Sequence, residues 1–284
     1  MQKHARLSAE ALVRQIREPA PITTTHKENT MPLLPSQPVS IGKILDTSIK
    51  LYTASFTKLI GFFLIMAVFY VSQGLFYDQL LNGQPTNQAE MPAFMLAKMP
   101  MFLGVIFIAS LLSFVLYIAM IYRIDNVANQ RDDDFTEALL IGFKKFPAVL
   151  VAVILYTIAV MLGFILLVVP GIILSLSLAF YIYFIALDSL GGYEALKASH
   201  KLVWGNWWRT MSIFMAPSIV LMVIYFPMKM LAAFVGASNN TLISVITNLL
   251  TAFIMPYFVA LAYVQFHDLK LRTSGSDLQR RFAK

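Results

Sequence analysis

A chain of 284 residues that is 58% hydrophobic and only 13% charged, with a mean hydropathy of +0.70, falls well below the about 25% charge of a water-soluble domain. It has no cysteine, which excludes disulfides, thiolate nucleophiles and thiolate-held zinc or iron–sulfur clusters. The net charge of +7 is gathered at the ends of apolar runs, as membrane topology rules require, and calls for no nucleic acid as partner.

Residues 1–38 are polar and carry Glu18-Pro19-Ala20-Pro21. No apolar core follows their basic start, so they read as a disordered tail without a cleavable signal. Met31 is an alternative translation start. From 39 to 272 the chain reads as one membrane domain. Ile41, Ile44, Leu45, Ile49, Tyr52 and Phe56 recur at helical spacing and predict an amphipathic helix. The first uncharged run, 59–77, and the second, 100–122, each match the about 20 residues that cross a bilayer. Asp134 with Glu137 three residues on predicts the N-cap of a second amphipathic helix, which leads to Lys144-Lys145-Phe146-Pro147.

Residues 146–187 contain no charge at all, too long a run for one span and enough for two. Val169-Pro170-Gly171 interrupts it, and Pro170 with Gly171 predicts a hairpin turn between spans 146–168 and 172–187. A single kinked helix is the alternative. A third amphipathic segment follows Gly191-Gly192 and ends at Trp204-Gly205-Asn206-Trp207-Trp208-Arg209. Spans five, 210–235, and six, 242–266, flank a turn at Gly236–Asn240. A basic tail, 273–284, completes the chain.

Only helices and closed barrels satisfy every backbone polar group in lipid. These runs lack period-two alternation, so the fold class is all-α: a polytopic bundle of six transmembrane helices with three interfacial amphipathic helices. Lys and Arg set the orientation. They cluster before span one, in the loops after spans two and four, and in the C-terminal tail, while only Lys98 and Lys229 lie on the other side. Both termini are therefore expected in the cytoplasm. Each unit of amphipathic segment plus two spans carries an acidic residue (Asp46, Glu137, Glu194) ahead of basic and aromatic ones, which suggests a threefold repeat.

Lys201, Trp204, Trp207, Trp208 and Arg209 fall where span five meets the cytoplasmic interface. Tryptophan favours that depth for anchoring, and Lys201 with Arg209 are candidates for lipid headgroup contact. Pro217, Asn248, Thr251 and Pro256 lie within spans five and six. They are candidates for helix packing or for lining a cavity. Asp125, Asp132, Asp133, Asp134 and Glu137 form an acidic cluster whose spacing fits no calcium loop, so capping and solvated charge explain it. His200 and His267 have no ligand spacing. No metal and no cofactor are expected.

Three stretches carry a resemblance: Val169-Pro170-Gly171-Ile172-Ile173-Leu174, then Glu194 through Trp208, then His267-Asp268-Leu269-Lys270-Leu271-Arg272 with Gly275 and Asp277-Leu278. In that order they resemble the YciC-like bacterial inner-membrane proteins and the membrane domain attached to some glycerophosphoryl diester phosphodiesterases, over roughly residues 36–280. The resemblance implies a six-helix bacterial inner-membrane protein with no settled activity and no catalytic residues to carry over. Members often have tyrosine and arginine where this chain has His267 and Lys270.

No Asp, Glu or Arg occupies the centre of a span, where a charge costs about 2.5–3.5 kcal/mol and is kept for a purpose. That argues against an ion-coupled pump. The expected function is non-enzymatic: a structural or accessory inner-membrane protein working through membrane lipids or protein partners at the cytoplasmic interface. A carrier for lipid or another amphipathic solute, with a cavity near spans five and six, is the alternative.

Overall fold

The computed structural model describes residues 33–81, 85, 87–235 and 240–282. Met31, the tail before Leu33 and most of the Gly236–Asn240 turn lie outside the described residues. Eight helices and no strand occur among those described: α1 Ile41–Leu81, α2 Met91–Ala128, α3 Phe135–Leu166, α4 Val168–Ser177, α5 Tyr181–Asp188, α6 Gly192–Val203, α7 Trp207–Val235 and α8 Asn240–Phe282. Six stretches are long and apolar enough to cross a membrane, α4 and α5 together forming one of them. The six-span, all-α architecture expected from the sequence is the one observed.

Two of the three amphipathic segments are not separate helices. α1 runs unbroken from Ile41 into the first span and α3 from Phe135 into the third. No glycine or proline lies between Ile44 and Leu59, so nothing halts helix propagation there. The apolar face of this stretch, Ile44, Leu51 and Leu59, is buried, chiefly against α8, the helix with which α1 has its most extensive contact. The third segment is detached. Gly205 takes φ +91°, a conformation that disfavours any side chain, and Trp204-Gly205-Asn206 turns the chain from α6 into α7. The lead segments of the three expected units therefore differ in structure.

Asp134 caps α3 as predicted, its carboxylate accepting from the Glu137 amide at 3.0 Å. The hairpin turn is displaced from its predicted place. Leu167 alone breaks the helix, in extended conformation, and Pro170 sits in the first turn of α4. There its missing amide is one of those that need no intrahelical partner. The first amide to find one is that of Gly171, which donates to the Leu167 carbonyl at 3.3 Å. Gly171 serves packing instead: a Cβ built on Gly163 would stand 2.9 Å from the Gly171 Cα, and one built on Gly171 would run into the Phe164 ring. The two glycines let α3 and α4 touch backbone to backbone.

The fourth span is interrupted at Leu178–Phe180, between α4 and α5. Ser199, on α6, bridges the gap: its hydroxyl donates to the Ser177 carbonyl at 2.9 Å and accepts the Phe180 amide at 3.0 Å. Backbone groups freed in an apolar setting need such partners. Beside it, the Tyr183 hydroxyl donates to the Val259 carbonyl at 3.0 Å, and the Tyr117 hydroxyl lies 3.2 Å from it. This links α2, α5 and α8.

Candidate functional site

The ion pairs among the described residues gather at one end of the bundle, where α1 and α3 begin and α2 and α5 finish. Arg123, at the end of α2, meets Asp133 through three hydrogen bonds of 2.6–3.0 Å. The Asp133 side chain is wholly buried, with Lys58 3.9 Å away. The guanidinium also lies 5.7 Å from the Phe62 ring and 5.5 Å from the Phe135 ring. A buried charge pair holds together only with this degree of satisfaction. Asp125 accepts from the Tyr263 hydroxyl at 2.7 Å and also pairs with Arg131. The acidic cluster is therefore a set of helix ties and a cap, and no group of three or more potential metal ligands occurs among the described residues.

A second tie holds the chain just before α1. The buried Asp268 carboxylate accepts from the Val39 amide at 2.9 Å, from Arg209 at 3.2 Å and from Arg272 at 2.7 Å. Arg209 and Arg272 also donate to the Val39 carbonyl. His267 meets the Pro35 carbonyl at 3.0 Å, and Lys270 pairs with Asp188 at 2.6 Å. The stretch from His267 to Arg272 is thus where α5, α7 and the N-terminal approach are fastened to α8.

Arg209, a candidate headgroup contact, is engaged in this tie. The other members of its group differ. Trp204 and Trp208 are 64% and 75% exposed, Trp207 stacks edge-on against Trp208, and Lys201 is exposed. Of the four residues considered for a cavity, Pro217 lines an apolar groove of about 440 Å³ between α1, α7 and α8, with Tyr52, Val220, Leu221 and Phe253. Asn248 packs against Gly74 so closely that a Cβ there would collide. Thr251 accepts from the Tyr225 hydroxyl at 3.0 Å while donating to the Thr247 carbonyl. Pro256 borders a crevice of about 10 Å³, room for a water at most. Asn248 and Thr251 join helices, and none of the three lines the groove.

The ties between Arg123 and Asp133, Asp125 and Tyr263, and Asp268 and Arg209 have no local signature. Only Asp268 with Arg272 has one, the four-residue spacing of a helix pair.

Six spans sealed at one end by ion pairs define a multi-pass helical membrane protein. Residues 95–264, more than half of the chain, match the model of the Uncharacterised protein family UPF0259, and the chain belongs to that family. No curated protein and no solved structure matches it.

Proposed function

We propose that this protein is a non-enzymatic accessory component of a bacterial inner membrane, with its charged end and both termini cytoplasmic, acting through lipids or proteins at that interface. The finer likeness to the YciC-like proteins and to phosphodiesterase membrane domains belongs to the same proposal. The observation that carries it is the division of labour at the charged end. Arg123, Arg209, Arg272 and Lys270 are engaged in ion pairs at this end, whereas Lys201, Trp204 and Trp208 face outward. Exposed tryptophan beside lysine suits the headgroup depth of a bilayer.

A carrier for lipid is the second proposal, favoured by the groove of about 440 Å³ at Pro217. The helix α7 that borders it is mostly exposed or half-buried between Trp207 and Met228, so few contacts hold that stretch in place. Reconstitution of the full chain into vesicles containing a fluorescent phospholipid separates the two. The accessory role predicts transbilayer movement at the rate of protein-free vesicles; protein-dependent movement overturns it in favour of the carrier.

A further inference from the structure

At the charged end a cleft of about 570 Å³ opens between α5, α6 and α8, lined among others by Phe184, Lys201, Leu202, His267, Lys270 and Ser274. We propose that it binds a phosphate-bearing anion. None of its lining residues is acidic. Asp188, the carboxylate that touches it from outside, is taken up by Lys270 through contacts of 2.9 and 2.6 Å. That pair fixes the Lys270 ammonium 4.6 Å over the Phe266 ring and 5.5 Å from the Phe184 ring. With Lys270 balanced, Lys201 leaves an excess positive charge among the described side chains of the cleft, and none of them bonds to it. Lys197, one turn earlier on α6, is also exposed.

His267 is fixed in the cleft wall. Its Nε2 lies 3.0 Å from the Pro35 carbonyl, and a carbonyl only accepts, so Nε2 donates the hydrogen. The floor of Phe184, Ala198, Leu202 and Leu271 is apolar. It lowers the local dielectric and strengthens attraction between lysine and phosphate, and it offers surface to the carbon chain of a phosphate ester. Trp204, just past the end of α6 and with its ring tilted 4.9 Å from that of His200, places this end of α6 at headgroup depth. The source of the phosphate is either a phospholipid headgroup or a soluble phosphate ester.

The proposal rests on the accessory role in one respect, that this end of the bundle meets lipid headgroups. The full-length protein in detergent is titrated with short-chain phosphatidylglycerol, short-chain phosphatidylcholine and glycerol 3-phosphate. Phosphatidylglycerol is expected to bind more tightly than phosphatidylcholine, and Lys201→Gln to weaken it about fivefold. Lys201→Arg should retain binding, and Lys144→Gln, an exposed lysine outside the cleft, should match the unmodified protein. Displacement of phosphatidylglycerol by glycerol 3-phosphate identifies a soluble ester as a source; its failure to compete identifies the lipid. Equal binding of the two lipids, or unchanged binding in Lys201→Gln with thermal unfolding unaltered, overturns the cleft and leaves the accessory role standing. Transbilayer lipid movement would overturn that role and leave the cleft's selectivity intact.

Discussion

Val39 and Asp268 are 229 residues apart in sequence, yet the amide of one donates to the carboxylate of the other at 2.9 Å. The Val39 carbonyl is held at the same time by Arg209 and Arg272, the two guanidinium groups that neutralise Asp268. One buried carboxylate therefore organises four backbone and side-chain groups from three parts of the chain. Asp268→Asn keeps the shape but removes the charge and turns an amide toward the two arginines. Removal of one partner of a buried ion pair costs about 3–5 kcal/mol, with the lower end expected because Arg272 is partly exposed. Thermal unfolding in detergent should show the loss, and proteolysis ahead of Ile41 should quicken before the bundle opens.

Ser199 is the second single residue on which a backbone feature depends. Ser199→Ala leaves the Ser177 carbonyl and the Phe180 amide without the partner they have now. Each buried polar group left unsatisfied costs about 1–3 kcal/mol. Hydrogen exchange at the Phe180 amide is expected to accelerate; exchange at the unmodified rate would show that the interruption in the fourth span does not rely on this hydroxyl.

The hairpin between α3 and α4 predicts opposite outcomes at neighbouring positions. Pro170→Ala should change stability by no more than about 0.5 kcal/mol, since the first turn of a helix neither needs nor forbids that amide. Gly171→Val should be destabilising by about 1–3 kcal/mol, the usual result of overpacking, because Phe164 occupies the space its side chain would need. Thermal unfolding of the two variants side by side checks the ranking.

The same hairpin ends in an apolar tip. Ile165, Leu166, Leu167, Val168 and Val169 are each 63–75% exposed, and a run of that kind is stable only against lipid. With no native cysteine, Leu167→Cys and Ser189→Cys can be compared directly. In permeabilised membranes an impermeant thiol reagent should label Leu167→Cys roughly tenfold more slowly or worse, since a thiol in apolar surroundings stays protonated and only the thiolate reacts. Equal rates would place the tip in water.

Apolar runs of about 20 residues, together with the side on which Lys and Arg gather, determined that this is a six-span helical protein, because a bilayer admits no other use of so much contiguous apolar sequence. The cap at Asp134 was equally legible, since its partner Glu137 lies within one helical turn. Where a helix stops was harder. Leu167 carries no breaker signal, and the turn assigned to Pro170 and Gly171 moved because proline fits a first turn and glycine was needed for contact. What only the tertiary structure decided is which charges find one another. Tyr263 with Asp125, and Asp268 with Arg209 and Val39, join segments distant in the chain, while Arg123 with Asp133 closes the loop between α2 and α3, and desolvation selects such partners only once the helices have packed. Lys201 acquires its role as a cleft-lining cation in the same way, by where α5, α6 and α8 come to rest.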